Sequence, residues 1–356
     1  MIENTLHYEW KLKDTKFLKN KGKVFSCFAC GGGSTMGYKL AGFDVLGCNE
    51  IDPKMMKAYK TNHNPKYSFL EPIQEFKKRK DLPKELYDLD ILDGSPPCSS
   101  FSMSGNRGKD WGKEKKFREG QAKQVLDTLF FDFIDLAKEL QPKIVVAENV
   151  KGLLLGKAKK YVREVYNQFD KAGYYCQHFL LNAAKMGVPQ KRERVFFICL
   201  RKDLAKPFLY QKDMFSVVPK IEMNFNEKEI PFSEIFEDYE DRPLSPHYKT
   251  FWDARIKGDK DFSFASGRMG KNPNAQFQYN YIYMNKPSYT ITGKDYCVLF
   301  DRPRYRNFHE LCRSGTYPLD YDFQGNKPEY IIGMSVPPVM VAKIANEIYK
   351  QWLINI

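Results

Sequence analysis

Strand patterns that alternate with helix patterns constrain the fold of this 356-residue chain more than any other feature of its sequence. Residues 23–52 are typical of a strand, a glycine turn, a helix and a second strand. Further apolar strands are predicted at 89–92, 143–147 and 194–200, with amphipathic helices over 121–140 and 161–172. Such alternation builds βαβ units, so the sequence predicts an α/β fold with a doubly wound, Rossmann-like sheet.

Three polar segments follow predicted strands directly. They are the glycine turn at 31–33, the segment GSPPCSS at 94–100, and Glu148–Asn149. In doubly wound sheets, ligands bind beyond the carboxyl ends of the strands. We therefore expect the three segments to meet in one cleft.

The glycine turn is typical of a site for a nucleoside-bearing cofactor. Gly31, Gly32 and Gly33 allow the backbone to approach a ligand closely, and the following helix offers its positive N-terminal end. Glu50 ends the second strand about 20 positions further on, where an acidic residue commonly binds ribose hydroxyls. The turn does not match the dinucleotide-binding pattern G-x-G-x-x-G. The alternative to a cofactor site is therefore a tight structural turn beside a solvated acid.

Cys98 is the candidate nucleophile. Pro96 and Pro97 restrict the backbone before it, and glycine and serines surround it, whereas inert cysteines usually lie among aliphatic side chains. A thiol with its ordinary pKa of ~8.5 is mostly protonated at neutral pH. Cys98 therefore requires activation by a nearby cation or a helix N-terminus.

Glu148, Arg192 and Arg194 are candidates for acid–base and electrostatic roles. A carboxyl group after the apolar strand at 143–147 is partly desolvated and can donate a proton near neutral pH. The two arginines occupy alternate positions leading into a strand and share one face, where they can hold a carbonyl oxygen or a phosphate. The alternatives are an ion pair or a helix cap at Glu148, and a solvated run of charge at the arginines.

The charge balance favours a polyanionic partner. The chain has 57 Lys plus Arg against 44 Asp plus Glu, a net charge of +13, and each phosphate that a cation neutralises releases a counterion. We expect a soluble, cytoplasmic protein, since no apolar run approaches ~18 residues and no signal peptide is evident. The eight cysteines show no disulfide spacing. Cys27 and Cys30 form a C-x-x-C without a second pair, so no metal site is expected.

Ordered motifs over nearly the whole chain carry a family resemblance. The segments are Phe28-Ala29-Cys30-Gly31-Gly32-Gly33, Asn49-Glu50-Ile51-Asp52, Pro96-Pro97-Cys98, Glu148-Asn149-Val150, Gln190-Lys191-Arg192-Glu193-Arg194, 304–321 and Gly333-Met334-Ser335-Val336-Pro337. With these segments, the sequence resembles the DNA cytosine-5 methyltransferases of bacterial restriction–modification systems and prophages.

The resemblance implies a cofactor, a mechanism and site residues. The cofactor is S-adenosylmethionine, and the residues implied to bind it are Phe28, Ala29, Cys30, Gly31, Gly32, Gly33, Glu50, Ile51, Ile73, Pro96 and Ser335. Cys98 is implied to add to carbon 6 of a cytosine flipped out of the duplex, while Glu148 donates to ring nitrogen 3. Arg194 is implied to hold the carbonyl oxygen at ring position 2, and Arg192 to support the thiolate.

Four positions depart from the family pattern. Cys30 stands where the family usually has glycine, Ser99 where glutamine commonly follows the nucleophile, and Met334 where asparagine is usual. The acid that reads the adenine amino group corresponds to Glu71 or Pro72. None of these departures touches the implied catalytic residues, so an active enzyme is expected.

The resemblance also implies two domains and a DNA partner. A catalytic domain is expected at 1–203 and 326–356, with a target-recognition domain and hinge at 204–325. The residues expected to contact DNA are Ser102, Ser104, Arg107, Arg268, Lys271, Asn272, Thr290 and Thr292. The expected partners of this monomer are double-stranded DNA and a cognate restriction endonuclease. The rival hypotheses are a transfer RNA cytosine-5 methyltransferase, a catalytically silent DNA-binding relative and a nicotinamide oxidoreductase.

Overall fold

The chain divides into two compact units. The computed structural model describes residues 6–97, 114–115, 124–125, 128–156, 158–213, 216–239, 241–272, 274 and 276–356. Unit 1 comprises Met1–Thr15, Ala183–Arg192 and Asn226–Met340, and unit 2 comprises Lys16–Asn182, Glu193–Phe225 and Val341–Ile356. These bounds differ from those of the two predicted domains, because 1–15, 183–192 and 326–340 group with unit 1 and 204–225 with unit 2. The catalytic and target-recognition roles of the domains stay predictions.

Helices and strands alternate through unit 2, whereas unit 1 has short elements. The strands are β1 (Lys23–Cys27), β2 (Asp44–Glu50), β3 (Tyr67–Leu70), β4 (Ile91–Gly94), β5 (Glu114–Lys115), β6 (Gln124–Val125), β7 (Ile144–Val150), β8 (Tyr174–Asn182), β9 (Gln190–Lys191), β10 (Glu193–Arg201), β11 (Leu209–Asp213), β12 (Ser216–Pro219), β13 (Tyr281–Ile282), β14 (Ser288–Tyr289) and β15 (Val298–Leu299). The helices are α1 (Gly33–Leu40), α2 (Pro53–His63), α3 (Ile73–Phe76), α4 (Leu129–Leu140), α5 (Ala158–Lys171), α6 (Pro246–Asp253), α7 (Phe262–Arg268), α8 (Phe308–Gly315), α9 (Pro328–Met334) and α10 (Pro338–Gln351).

A seven-stranded sheet organises unit 2, in the order β3-β2-β1-β4-β7-β10-β8. The first five strands in this order are parallel, and β10 runs antiparallel to both β7 and β8. Ile144, Val145, Val146 and Ala147 of β7 are all buried, as expected for a strand covered on both faces. The predicted α/β fold is confirmed.

The helix predicted over 121–140 is shorter in the structure. It begins at Leu129 as α4, and Phe133 and Leu136 of its predicted apolar face are buried. The prediction is wrong at Gln124–Val125, because this backbone pairs with Glu114–Lys115 as an antiparallel ladder. Ladder pairing directs peptide hydrogen bonds across to the partner strand and not along a helix.

Aromatic rings and buried ion pairs hold unit 1 together. Phe262 stacks on Tyr279 with ring centroids 5.2 Å apart, in a cluster that includes Phe251 and Tyr281. Two arginines of this unit are fully buried, Arg304 against Glu310 and Arg306 against Asp295. Short strands pair as β9 with β14 and β13 with β15.

Among the described residues, one helical stretch is long and apolar enough to cross a membrane by length and composition alone. It runs over Pro328–Asn355, and 78% of its most apolar window is buried inside the protein. The helices α9 and α10 within it are separated at Ser335–Pro337. Burial of this kind also occurs in core helices of proteins that do not span membranes.

Candidate functional site

The glycine turn of unit 2 has a left-handed backbone at three positions. Phe28 has φ 54°, Cys30 has φ 48° and Gly32 has φ 84°. The turn closes through a hydrogen bond of 2.8 Å from the Gly32 amide to the Ala29 carbonyl. Cys30 therefore adopts a conformation that glycine takes with least strain. Glycine is also the residue usual at this position in the family that the sequence resembles. Its Sγ atom lies 3.6 Å from Sδ of Met55.

Helix α1 starts from this turn without a side-chain cap. Its N-cap is Gly32, no side chain caps it, and no acidic residue lies in its first turn, which begins at Gly33. The partial positive charge at this helix terminus is thus not neutralised by a carboxylate of its own first turn. A ligand carboxylate or another anionic group suits such a position.

Glu50 binds the glycine turn and the start of α2 together. Its Oε2 atom accepts a hydrogen bond of 2.7 Å from the Cys30 amide, and its Oε1 atom accepts bonds of 2.9 Å from the amides of Ile51 and Asp52. Burial raises the pKa of the Glu50 carboxyl, while these amides act in the opposite direction. A carboxylate offers about four acceptor positions, so three bonds leave capacity for a ribose hydroxyl.

Two other predicted cofactor residues of unit 2 lie further along the chain. Ile51 is half-buried and Ile73, the first residue of α3, is buried. Pro72 is the N-cap of α3, and the Glu71 carboxylate lies 3.2 Å from Nη1 of Arg79. The acidic group available for an adenine amino group is therefore already in an ion pair.

Asn149 fixes the backbone that precedes Cys98. Its Nδ2 atom donates a hydrogen bond of 3.1 Å to the Pro96 carbonyl, and its Oδ1 atom accepts one of 2.9 Å from the Val150 amide. Gly94 ends β4, and a Cβ atom there would lie 2.5 Å from the Phe133 ring. Cys98 and the predicted DNA contacts Ser102, Ser104 and Arg107 lie outside the described residues.

Glu148 and Arg194 form a mostly buried ion pair between β7 and β10. Nε of Arg194 lies 2.9 Å from Oε1 of Glu148, and the two side chains are 16% and 12% exposed. Nη1 of Arg194 donates to the carbonyl of Glu193. Oε2 of Glu148 and Nη2 of Arg194 have no hydrogen bond to the part of the chain that the structure describes. Desolvation lowers the pKa of the Arg194 guanidinium, and Glu148 opposes that change.

Arg192 belongs to unit 1 and is buried there. Its Nη1 atom donates to the carbonyl of Ile291, and its Nη2 atom donates to the carbonyls of Gly333 and Ser335, at 2.8–2.9 Å. The structure thus shows Arg192 binding backbone carbonyls of unit 1. Its support of the nucleophile stays a prediction.

Ser335 is buried and hydrogen-bonded within unit 1. Its hydroxyl donates to the Ile331 carbonyl and accepts from the Tyr317 hydroxyl, at 2.8 and 2.6 Å. The neighbouring Met334 side chain is partly exposed. The cofactor contact assigned to Ser335 also stays a prediction.

Some of the predicted DNA contacts of unit 1 already bind other groups of the protein, and others are exposed. Arg268 forms an ion pair with the buried Asp259 and also donates to the Ala254 carbonyl. The Lys271 ammonium lies 4.8 Å from the centre of the Phe251 ring. The Thr290 hydroxyl donates to the Lys191 carbonyl. Lys271, Asn272 and Thr292 are exposed.

Asp93 is a buried acid that the sequence analysis did not select. Its carboxylate accepts hydrogen bonds from the hydroxyls of Ser26 and Tyr38, at 2.8 and 3.2 Å, and from Ser34. Burial raises the pKa of Asp93 to about 7. The available signal was an aspartate inside the apolar strand β4, directly before the segment that leads to Cys98.

A known protein family matches most of the chain. The family profile described as C-5 cytosine-specific DNA methylase matches residues 22–350. Type II methyltransferase M.NgoPII of Neisseria gonorrhoeae is 34% identical over 238 residues, which are 66% of this chain and 62% of that protein. Type II methyltransferase M.DdeI of Desulfomicrobium norvegicum is 33% identical over 383 residues, covering 91% and 88%. The first of these matches spans less than two thirds of the relative's length.

A solved structure shows the same fold. A triple mutant of Spodoptera frugiperda DNMT2 superimposes with a TM-score of 0.62, covering 92% of this chain and 99% of that chain. The sequence identity is 16%, so this likeness bears on the fold alone.

Proposed function

This chain belongs to the C-5 cytosine-specific DNA methylase family, and we propose that it methylates carbon 5 of cytosine within a specific duplex DNA sequence. One arrangement carries the proposal. The Glu148–Arg194 pair lies at the ends of two neighbouring strands, and Asn149 holds the Pro96 carbonyl two residues before Cys98. A nucleophile, an acid and a guanidinium are the groups that activation of a cytosine ring requires.

S-adenosylmethionine is the methyl donor of this family, and the residues of unit 2 fit it. The remaining acceptor capacity of Glu50 suits a ribose hydroxyl, and the uncapped start of α1 suits the carboxylate of the methionine part. Phe28, Ala29, Cys30 and the three glycines would line the turn between them. When bound, S-adenosylmethionine supplies the methyl group that carbon 5 receives.

Carbon 5 of cytosine is a poor nucleophile, so the protein must first activate the ring. The Cys98 thiolate adds to carbon 6 while Glu148 delivers a proton to nitrogen 3, and electron density moves to carbon 5. Oε2 of Glu148 and Nη2 of Arg194 are the two atoms of the pair that remain for the ring. They suit nitrogen 3 and the oxygen at position 2 respectively, which are adjacent on the cytosine edge.

Release of the product reverses the covalent addition. After carbon 5 has been methylated, a base removes the proton from carbon 5, and the electron pair of that bond restores the double bond as the Cys98 thiolate leaves. Nitrogen 3 returns its proton to Glu148. The atoms thereby balance, with one methyl group gained and one proton lost at carbon 5.

The DNA must present an unstacked base, because carbon 6 is inaccessible to a thiol inside a stacked duplex. We infer that the polar, basic segment 99–120 closes over the DNA; apart from 114–115, it lies outside the described residues. The net charge of +13 supports binding to duplex DNA. The proposed enzyme is cytoplasmic and binds DNA as a monomer. Its proposed protein partner in the cell is a cognate restriction endonuclease.

The test is a methylation assay that compares nucleic acids. Purified protein with S-adenosylmethionine is incubated with plasmid DNA or transfer RNA, and 5-methylcytosine is measured by mass spectrometry. The expected result is methylation of plasmid DNA that Cys98→Ala abolishes, with bisulfite sequencing giving the recognition sequence. Methylation of transfer RNA alone would favour the rival enzyme, and DNA binding without methylation would favour a silent relative.

A second experiment addresses the covalent step. Duplex DNA with 5-fluorocytosine at the target should form an adduct that survives denaturing electrophoresis, because fluorine cannot leave as a proton. Cys98→Ala should form none. Methylation of ordinary DNA without an adduct on the fluorinated DNA would contradict the thiolate mechanism but not the activity.

A further inference from the structure

His63, the last residue of α2, packs against the glycine turn. It is not among the residues that the family resemblance implies for the site. Its ring is buried, and Nε2 lies 3.1 Å from the Gly31 carbonyl oxygen. We propose that His63 is a positioning residue for S-adenosylmethionine binding, which holds the Gly31–Gly32 peptide in its binding conformation. The inference rests on the proposed role of this turn in binding the cofactor.

The peptide between Gly31 and Gly32 is held at both of its polar atoms. Its carbonyl oxygen is within hydrogen-bond distance of His63, and its amide donates to the Ala29 carbonyl. Gly32 has φ 84°, and a Cβ atom at this position would lie 2.2 Å from Nε2 of His63. The imidazole therefore occupies the space that a side chain on the turn would need. The absence of a Cβ atom and the presence of the ring are two parts of one arrangement.

The last turn of α2 contacts the glycine turn and α1 at three positions. Gly31 contacts His63, the Thr35 hydroxyl lies 2.8 Å from the Tyr59 hydroxyl, and Nζ of Lys39 donates to the His63 carbonyl at 3.0 Å. Positions 31, 35 and 39 are four residues apart, so they follow one face of the helix and its entry. Tyr59 also packs edge-on against the His63 ring, with centroids 4.7 Å apart.

Helix α2 connects the two parts of the cofactor site. At the beginning of the helix, the Asp52 side chain caps it, and the Asp52 amide donates a hydrogen bond to the Glu50 carboxylate. At its end, His63 binds the turn. The acid that suits the ribose and the turn that suits the rest of the ligand are thus fixed to opposite ends of one helix. Without the contact at His63, the turn would lose its link between Gly31 and α2 while the bond from the Cys30 amide to Glu50 stayed in place.

The His63 ring is neutral at the pH of any enzyme assay. Burial, together with the nearby charge of Lys39, lowers its pKa to about 3, although the contact with the Gly31 carbonyl acts in the opposite direction. A neutral ring facing a carbonyl oxygen must carry its proton on Nε2 to donate. The contact is therefore a hydrogen bond from a neutral donor, which an amide side chain can also supply.

Two substitutions separate the hydrogen bond from the packing. His63→Phe keeps a planar ring but has no donor, whereas His63→Gln places an amide Nε2 at a similar distance from Cα. The dissociation constants of S-adenosylmethionine and S-adenosylhomocysteine are measured by calorimetry without DNA, and kcat is measured at saturating cofactor. His178→Phe is the matched control, because His178 lies on β8 and binds the Tyr166 hydroxyl.

The expected result is a dissociation constant raised about tenfold in His63→Phe, the effect of one lost hydrogen bond. His63→Gln and His178→Phe should stay within about threefold of wild type, and kcat should change less than about twofold in all. Wild-type affinity in His63→Phe would overturn the inference, and so would equal weakening in His63→Gln, which would assign the effect to packing.

The design also distinguishes other failures. If His63→Phe does not fold, as judged by its thermal transition, His63→Met is the second variant without a donor. If neither folds while His63→Gln does, His63 is needed for folding and the positioning role is wrong. A wild-type protein that binds neither ligand would instead contradict the proposed function of the turn.

Discussion

Nε of Arg194 lies 2.9 Å from Oε1 of Glu148, across two neighbouring strands of the sheet in unit 2. The contact depends on the antiparallel direction of β10, since the register pairs Arg194 with Val150 and Phe196 with Glu148. Both side chains are mostly buried, so each charge compensates the other where water does so poorly. The pair therefore presents a fixed donor and a fixed carboxylate to a ligand at the strand ends.

Glu148→Gln should lower kcat by two to four orders of magnitude, about the contribution of one general acid. Glutamine keeps the shape and an acceptor for Arg194 but cannot deliver a proton to nitrogen 3. Affinity for duplex DNA should change little. The measurements are single-turnover methylation and a filter-binding titration.

Glu193→Gln is the matched control for that substitution. Glu193 is the neighbouring glutamate, but it is exposed and binds Lys151. Its variant should keep kcat within about twofold, since exposed ion pairs contribute little. Equal losses in the two variants would show that Glu148 has no special role.

Asn149→Ala should lower kcat by at least tenfold and leave cofactor affinity nearly unchanged. The alanine removes the donor that fixes the Pro96 carbonyl, so the segment before Cys98 loses its orientation. Leaving that buried carbonyl and the Val150 amide unsatisfied should also cost about 1–3 kcal/mol of stability. Methylation kinetics and urea unfolding measure the two effects. Unchanged kcat together with lowered stability would limit Asn149 to a structural role.

The residues that follow parallel strands could be predicted from sequence because the signals are local. Gly32 follows β1 and Glu50 ends β2, and the Glu50 carboxylate accepts a hydrogen bond from the Cys30 amide of the glycine turn. Asn149 lies at the carboxyl end of β7. Here strand periodicity and the fixed geometry of parallel sheets suffice.

Residues whose partners are distant in sequence could not be placed in this way. The sequence gives Arg192 and Arg194 equivalent positions, but Arg192 binds carbonyls 99 to 143 residues away, whereas Arg194 binds Glu148. Arg268 has the composition of a DNA contact, yet Asp259 pairs with it. These outcomes depend on tertiary pairing, which neither periodicity nor charge counting encodes.

Asp93→Asn should remove a pH dependence from the stability of the protein. Burial raises the pKa of Asp93 from the ordinary value of an aspartate to about 7, so the folded state binds a proton that the unfolded state has lost. The free energy of unfolding then falls as the pH rises from about 4 to about 7, by about 1.4 kcal/mol for each unit. The difference between variant and wild type should grow in favour of the variant across this window.

Urea unfolding at pH 5, 6, 7 and 8 measures that difference. Asp88→Asn is the control, because an exposed ion pair with Lys23 lowers the pKa of Asp88. Its stabilising contribution is lost only as the pH falls below the ordinary range of an aspartate. The control should therefore be flat from pH 5 to pH 8, and a flat Asp93→Asn difference would contradict the predicted proton.

Asp295→Asn should destabilise the protein by about 3–5 kcal/mol, because it leaves the buried guanidinium of Arg306 without its counter-charge. Both side chains are fully buried, and Arg306 also donates to the Ser288 hydroxyl at 3.0 Å. Asp253→Asn removes the same charge from an exposed pair with Lys249 on α6 and should cost less than about 0.5 kcal/mol. Urea unfolding of both variants compares the same chemical change in two environments. Equal losses of stability in the two variants would mean that burial adds nothing to the Asp295–Arg306 pair. A much larger loss in Asp295→Asn would show that this buried ion pair is a main source of the stability of unit 1.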